Sequence, residues 1–588
     1  MTDLHAMRHS AAHVMAQAIK ELYPNAQFAF GPETEDGFYY DVKIPDGALK
    51  QEDLGKIEKI MQRIQKAKKP FERAEMSRGE ALELFKAQDF KIRALNDLLK
   101  NEASVSTYTQ DGFTDLCRGP HVENTGQIGA FSIDRIAGSY WLGDSKNEPL
   151  QRVYGLCFAT RDELKEYKTM LEEARKRDHR ETGKKLDLFS FHDEGPGFVF
   201  WHAKGLRVFN MLLDYIRSLY ATQGAQEIKT PEVLSVELWH QSGHYENYRD
   251  SMYFTTVEDR EYAVKPMNCP GAILIYKEAL RSFRDLPLRL MEMGHVHRFE
   301  LSGVLHGLFR ARAFTQDDGH LFCAPEQIEQ EISLFVDAVM STYKVFGFDD
   351  ITIYIATRPE HSMGSEEIWE TATNALKVPL EKKGIPYKIK EGEGAFYGPK
   401  IEFNVKDCIK RNWQLGTIQV DFSMPERFGL EYVGSDGGRH RPVLLHRAIL
   451  GSLERFLGIY IEHVSGNFPV WLAPVQVMLL PVTDNQNGYC GELSRQLAAA
   501  GIRAEVDYAS ERVNKKIRNA QLVKVPYMLI IGEKEAAAKN LSVRLRSGET
   551  VNEIPVDRFV AAVKGLAASR AAALWDEPLA PPPQRAEA

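Results

Sequence analysis

Residues 288–323, LRLMEMGHVHRFELSGVLHGLFRARAFTQDDGHLFC, decide how this chain is built. Two runs of alternating character flank a glycine-bearing loop, which predicts two strands joined as a hairpin. In the first run Val296, Arg298 and Glu300 share a face; in the second Gln316, Asp318 and His320 do. With those faces turned inward, a guanidinium, two carboxylates, an amide and an imidazole meet in one cleft. The loop LSGVLHGLFRAR carries Arg310, which suits phosphate because a guanidinium pairs bidentately with phosphate oxygens.

Neighbouring segments extend the cleft. WQLGTIQVDF predicts a third strand with Thr417, Gln419 and Asp421 on one face, and GEGAFYGPKIEF supplies Tyr397 and Lys400. LLHRAILGSLERFLGIYIEH reads as a helix with an apolar stripe of Ile449, Leu453, Phe456 and Tyr460. Ala448, Gly451, Ser452 and Arg455 fall on another face, where small residues admit a ligand and Arg455 reaches an anion. Cys269 in MNCPG, His320 and His446 add one thiolate and two imidazoles, a tetrahedral zinc set with one position open. Their wide separation excludes a zinc finger. Each feature alone has a plainer reading, since a lone cysteine is usually core and strand charges usually face water. Their agreement across three strands favours a site.

The 588 residues predict three or four domains. Hydrophobic residues make up 44% and charged residues 27%, ordinary for a globular protein. A net charge of -8 excludes a uniformly basic coat but leaves room for a local nucleic-acid stripe. Six scattered cysteines read as reduced thiols. No apolar run is long enough to span a bilayer, and MTDLHAMRHS has no apolar signal core, so the expectation is a cytoplasmic chain with no membrane partner.

No internal repeat is present. Residues 1–158 predict an α+β domain opening on an amphipathic helix, HSAAHVMAQAIKEL, with a charged helix over 51–69. Residues 159–185 predict a charged helical linker, and 186–470 mix long helices with antiparallel strands. FPVWLAP reads as a linker, and 471–568 alternate strand and helix, implying a small α/β domain with a mainly parallel sheet. The Ala/Pro-rich tail, 569–588, predicts disorder after its first turn.

MNCPG, GHVHRFE, RAFTQDDGHLFC and LLHRAILGSLERF closely resemble the class II aminoacyl-tRNA synthetases, and within them the threonine-specific branch. The likeness runs from about His9 to about residue 565. The resemblance implies a class II synthetase antiparallel-sheet catalytic core over 186–470, with an N-terminal α+β editing domain and a C-terminal α/β anticodon-binding domain. It implies a homodimer whose first motif, KTPEVLSVELWHQSGHY, packs at the dimer interface. Arg298 matches an arginine on the α-phosphate of ATP and Arg455 one on the γ-phosphate. Glu300 and Arg310 accompany them, with Gln414, Thr417 and Ser452 also around the nucleotide. Cys269, His320 and His446 match zinc ligands. Gln316, Asp318, Tyr397 and Gln419 match the amino-acid pocket, and Lys400 joins the catalytic set. The implied partners are ATP with Mg²⁺, L-threonine and tRNA(Thr). Two departures stand out. Ala272 replaces a histidine frequent in the family, and the chain starts almost at HSAAH, so a small ubiquitin-like domain found in many members is expected to be lacking.

The substrate poses a discrimination problem. Threonine and valine are nearly isosteric, and an apolar pocket separates such pairs by only ~100-fold. A Lewis-acidic zinc binds both the amino group and the hydroxyl of threonine, which valine lacks. Serine keeps that hydroxyl and loses only a methyl, worth roughly 1–3 kcal/mol. A second, hydrolytic site is therefore expected. His9 and His13 lie at i and i+4 on the first helix, and Cys117 and His121 lie in DLCRGPH, where Gly119 and Pro120 predict a loop. Spacing alone would suit zinc. By resemblance the four line the pocket that hydrolyses mischarged seryl-tRNA, either through zinc-bound water or without metal, the second being favoured.

In the C-terminal region Lys515, Lys516, Arg518, Lys524, Arg544 and Arg546 offer cations for phosphates, or simply a solvated basic face. Two rival readings remain: an editing-only hydrolase with a decayed core, and a catalytically silent regulator that binds tRNA-like RNA.

Overall fold

The computed structural model describes residues 3–45, 47–144 and 146–575. The chain divides into two compact units, Met1–Glu173 and Ala174–Ala588. The division falls inside the charged helix Arg161–Arg177, none of whose residues is buried.

In the first unit, helix α1 (Leu4–Leu22) starts where the Asp3 carboxylate accepts the His5 N–H. Every residue from Ser10 to Ile19 is buried. The helix is thus enclosed on all sides, not amphipathic. Ala11, Ala12, Ala16 and Ala18 are small enough to let the helix Leu54–Ala67 and the strands Gly37–Lys43 and Pro149–Phe158 close around it. Those strands belong to an antiparallel four-stranded sheet. A separate sheet, Glu72–Ser77, Ser104–Gln110 and Phe113–Leu116, delivers the chain to Cys117.

The second unit contains α2 (His179–Lys185), α3 (Cys269–Lys277), β1 (Leu288–His297), β2 (Ala313–Cys323), β3 (Lys400–Lys406), β4 (Asn412–Asp421), β5 (Val443–Ala448) and α4 (Leu453–His463). The strands run antiparallel in the order β1-β2-β5-β4-β3 inside an eight-stranded sheet. One face carries Leu321, Cys323, Leu445, Ile418, Val420, Ile401 and Phe403 into the main core against the helices Ala203–Thr222 and Ile328–Val345. The other face carries the polar residues of the cleft. Period-two alternation makes that division strict, since a one-residue slip would exchange the faces.

Two expectations change here. Arg298 and Glu300 lie beyond the end of β1, in the loop, so they do not share its pleat with Val296. The segment 444–463 is not one helix: β5 ends at Ala448, a turn follows, and α4 begins at Leu453. Gly451 at φ +75 takes the left-handed turn, and the Ser452 hydroxyl accepts the Arg455 N–H as N-cap. The buried Asp317 carboxylate fixes this turn by accepting the N–H groups of Ile449 (2.8 Å), Leu450 (3.1 Å) and Gly451 (2.9 Å).

A second buried contact pins the segment before α3. Lys265 Nζ donates to Glu292 Oε1 (2.9 Å) and Thr230 Oγ1 (3.1 Å), and the Thr230 N–H donates to the same carboxylate (2.8 Å).

The C-terminal sheet has the order 504–506, 477–481, 527–531, 540–545, 550–555. Only its first three strands are mutually parallel; the last two add antiparallel. FPVWLAP is not an exposed linker, because Phe468, Val470, Trp471 and Leu472 are buried. Order also continues past 569: Leu574 and Trp575 pack on the C-terminal core, and Tyr527 Oη donates to the Leu574 carbonyl. The remainder of the expected tail, 576–588, lies outside the described residues. No described helix is long and apolar enough to cross a membrane.

Replacing Asp317 with Ala strands these N–H groups without an acceptor, at a cost of about 3 kcal/mol or more. A circular-dichroism melt should show a clearly lowered unfolding transition; an unchanged melt would refute the role given to this carboxylate.

Candidate active sites

Cross-strand register assembles the first site. His320 pairs with His446, His446 with Gln419, and Gln419 with Lys400, so four polar residues form one row across β2, β5, β4 and β3. Asp318 and Gln316 continue along β2 on the same face, and Thr417 along β4. The row floors a cavity of about 420 Å³ lined by Cys269, Arg298, Glu300, Arg310, Gln316, Asp318, His320, Tyr397, Lys400, Gln414, Thr417, Gln419, His446, Ser452 and Arg455; Val296 and Asp421, expected on the same faces, are buried and do not line it.

At one end stand Cys269, His320 and His446, all buried, with ligand atoms within 4.8 Å of one another. Cys269 is the first residue of α3, where the helix N-terminus favours a thiolate. Burial pushes its thiol well up and holds the His320 imidazole down to about 4. A neutral imidazole is the ligand form, and a thiol costly to ionise in isolation is one that a cation would deprotonate. Asp421 Oδ2 lies 3.0 Å from His446 Nε2, the carboxylate support that orients a metal-bound histidine. The donor set therefore fits zinc.

The other end is short of negative charge. Glu300 is taken by Arg310, whose Nε donates to it at 2.9 Å and whose Nη2 lies 2.9 Å from the same oxygen. Arg298 lies over the Phe314 ring and donates to the Pro266 carbonyl, while Arg455 donates to the Phe309 carbonyl (2.9 Å). Burial lowers the Arg455 pKa, and nearby Arg310 and Arg298 add to that. Three guanidiniums around one carboxylate suit a polyanion. Between the ends, Tyr397 Oη donates to Gln419 Oε1 (2.6 Å), Asn268 Nδ2 donates to Asp318 Oδ2 (3.0 Å), and Lys400 pairs with Glu402 (2.7 Å).

A larger cavity, about 900 Å³, opens in the first unit and is lined by His9, His13 and Cys117. The four expected residues cluster, with ligand atoms within 4.8 Å. His121, however, is not on the wall. It stands behind Cys117, stacked on Phe71, with Nδ1 3.0 Å from Ser10 Oγ and Nε2 3.3 Å from Cys117 Sγ. His9 Nε2 is also 3.3 Å from that sulfur, and the Gly119 N–H donates to it. Burial lowers the pKa of His9, His13 and His121 and raises the Cys117 thiol to about 12.

Sequence reading missed the charged part of this wall. Lys91 Nζ pairs with Asp115 Oδ1 (2.5 Å) and donates to the Ala29 carbonyl (2.9 Å) and to Tyr40 Oη (3.0 Å). Tyr40 Oη donates to Asp115, and His13 Nε2 lies 3.7 Å from the same carboxylate. These residues are far apart in sequence, and although Asp115 opens DLCRGPH, nothing local ties it to Lys91 or Tyr40. It also missed His244, buried beside Cys269 with Nε2 3.7 Å from the sulfur.

The C-terminal cations divide. Lys516 is buried and donates to the Pro481 and Asp507 carbonyls, and Arg546 donates to those of Phe468 and Asn467. Both hold the fold together and are not free for phosphate. Lys515 pairs with Glu511, and Arg544 donates to Thr550.

Three family models match the chain. Residues 253–464 match the tRNA synthetase class II core domain (G, H, P, S and T), 476–566 the anticodon binding domain, and 105–154 the threonyl and alanyl tRNA synthetase second additional domain. The chain is 51% identical to the threonine–tRNA ligase of Clostridium botulinum (strain Langeland) over 561 residues, 95% of this chain and 88% of the relative. It is 51% identical to that of Acetivibrio thermocellus over 557 residues, 94% and 87% of the two. Among solved structures, the RNA binding domain of threonyl-tRNA synthetase from Cryptosporidium parvum superposes with a TM-score of 0.65 at 41% identity, covering 66% of this chain and 98% of that one.

A thiol at about 12 is scarcely ionised at neutral pH, since thiolate appears only as pH rises toward that value. Iodoacetamide at neutral pH should alkylate Cys117 roughly 10³-fold more slowly than an unperturbed thiol, three pKa steps being three decades. Peptide mass spectrometry checks this, and rapid labelling of Cys117 would contradict it.

Proposed function

The chain belongs to the threonine–tRNA ligase family of class II aminoacyl-tRNA synthetases, and on that premise we propose how its own residues charge tRNA(Thr) and clear serine attached in error. The observation that carries the proposal is the polar row of the central sheet, flanked by a soft-ligand cluster at one end and three guanidiniums at the other.

ATP enters with its Mg²⁺. Arg298 holds the α-phosphate, Arg455 the γ-phosphate, and Arg310 with Glu300 the loop side of the nucleotide. Gln414, Thr417 and Ser452 complete that pocket. L-Threonine lies against Gln316, Asp318, Tyr397 and Gln419, with Lys400 beside them. A zinc ion held by Cys269, His320 and His446 supplies, when bound, a Lewis-acidic contact for the amino group and hydroxyl of threonine. A threonine carboxylate oxygen attacks the α-phosphorus in line. The bond from that phosphorus to the bridging oxygen breaks, and pyrophosphate leaves. Fixed guanidiniums stabilise the charge that develops, because they need no reorganisation at the moment of reaction. A terminal ribose hydroxyl of the tRNA then attacks the threonyl carbonyl, and AMP departs.

Editing of seryl-tRNA belongs to the first unit. Water attacks the ester carbonyl and the ribose hydroxyl leaves with a proton. His9 and His13, neutral in this setting, position and accept protons, and Cys117 acts as a thiol. Lys91, Asp115 and Tyr40 fix the wall behind them. The route favoured here needs no metal: Cys117, hydrogen-bonded to His9 and His121, and His13, beside Asp115, position the ester and the water directly.

Residues 1–158 form the editing domain, 159–185 the linker, 186–470 the catalytic domain and 471–568 the anticodon-binding domain. The enzyme works in the cytoplasm as a homodimer joined through 229–245, where Val233 is exposed; all six cysteines stand free, which suits that compartment.

Threonine-dependent ATP–pyrophosphate exchange tests the whole reading, and its absence would leave only an editing hydrolase or a silent RNA-binding regulator. Elemental analysis should find one zinc per chain, lost in Cys269→Ser and retained in Cys117→Ala; the reverse pattern would move the metal to the first unit. His13→Ala or Cys117→Ala should let seryl-tRNA accumulate while exchange stays normal, and undiminished hydrolysis would reject the editing assignment.

A further inference from the structure

The turn 306–310 hangs between two supports. On one side Arg455 of α4 donates to the Phe309 carbonyl (2.9 Å). On the other stands His179, the first residue of α2 and fully buried. The Leu308 N–H donates to His179 Nε2 (3.0 Å), so the ring proton sits on Nδ1, which donates to Glu462 Oε1 (2.7 Å). The His179 N–H donates to the same oxygen (2.9 Å). The Phe309 ring lies 4.1 Å from the His179 ring, centroid to centroid. Gly307 approaches so closely, at φ +52, that a Cβ there would lie 2.3 Å from Nε2. Glu462 sits two turns beyond Arg455 on α4 and also receives Arg411. Asp178, His179 and Glu462 resemble a metal set, yet Arg180 holds one carboxylate and Arg411 the other, so the trio is a hydrogen-bond node.

We propose that His179 is a positioning residue for ATP: it ties the turn bearing Phe309 and Arg310 to α4, so that Arg310 and Arg455 face the polyphosphate from a fixed separation. The inference rests on the nucleotide pocket assigned above. His179 touches no substrate and acts through the Leu308 N–H. Its two bonds are separable. Asn places an amide where Nδ1 stands and keeps the link to Glu462 but offers nothing to Leu308; Gln places its oxygen near Nε2 and keeps the acceptor.

The test is ATP–pyrophosphate exchange on the full-length enzyme with His179→Asn, His179→Gln and Arg455→Ala, each with a melting curve. His179→Asn should raise the KM for ATP about 10-fold or more, leave the KM for threonine within twofold, and leave seryl-tRNA hydrolysis unchanged. His179→Gln should restore most of the ATP affinity. An unchanged KM for ATP in His179→Asn overturns the proposal. So does an equal loss in ATP, threonine and hydrolysis readouts with a lowered melt in both His179 variants, which marks a purely structural residue. Arg455→Ala separates the two levels: if it too leaves the KM for ATP unchanged, the pocket assignment fails and not His179 alone.

Discussion

A single carboxylate sets the geometry on which both ends of the catalytic cleft depend. Asp317 lies on the core side of β2 and grips the turn that leads from β5 into α4. Its neighbours on the cleft side are Gln316 and Asp318, so the same strand that holds the turn also presents the pocket. Through that grip, His446 on β5 stays in register with His320 on β2, and Arg455 on α4 stays over the anion end. Sheet pairing has a period of two, so register is all-or-none. A carboxyl acceptor of three N–H groups at a buried turn gives it a definite zero point.

The two sites use opposite electrostatic logic. The cleft gathers three guanidiniums, and burial together with the nearby Arg310 and Arg298 lowers the proton affinity of Arg455, a state relieved by a polyanion. The pocket of the first unit keeps its histidines neutral and its cysteine protonated, and places a buried charge pair, Lys91 and Asp115, in the wall. Proton shuffling at an ester asks for neutral donors and acceptors, whereas phosphoryl transfer asks for fixed positive charge. Both demands are met in one chain because they are housed in separate compact units.

Much of this architecture is legible in the sequence. Alternation in 313–323 and 412–421 identified the cleft faces because side-chain direction in a strand follows from parity alone. The i, i+4 pair His9 and His13 was visible for the same local reason. Segment 444–463 misled because its apolar spacing fits a helix, while the turn that splits it is imposed by Asp317, more than a hundred residues upstream. Arg298 and Glu300 were placed in the right cleft by the wrong element, since nothing local marks where β1 stops. Lys91, Asp115 and Tyr40 were invisible because their association exists only in three dimensions. Lys516 and Arg546 looked like ligands for phosphate, and burial against carbonyls is not a property a basic run can display.

The buried contact of Lys265, Glu292 and Thr230 bears on how such a sequence can drift. Either charged partner changed alone leaves an uncompensated ion in the interior, a loss of several kcal/mol, and exchanging both for apolar residues still strands the buried Thr230 donors that Glu292 accepts. Glu292 on β1, Lys265 before α3 and Thr230 thus form one three-way unit, in which a substitution at any one position is tolerated only with compensating changes at the others.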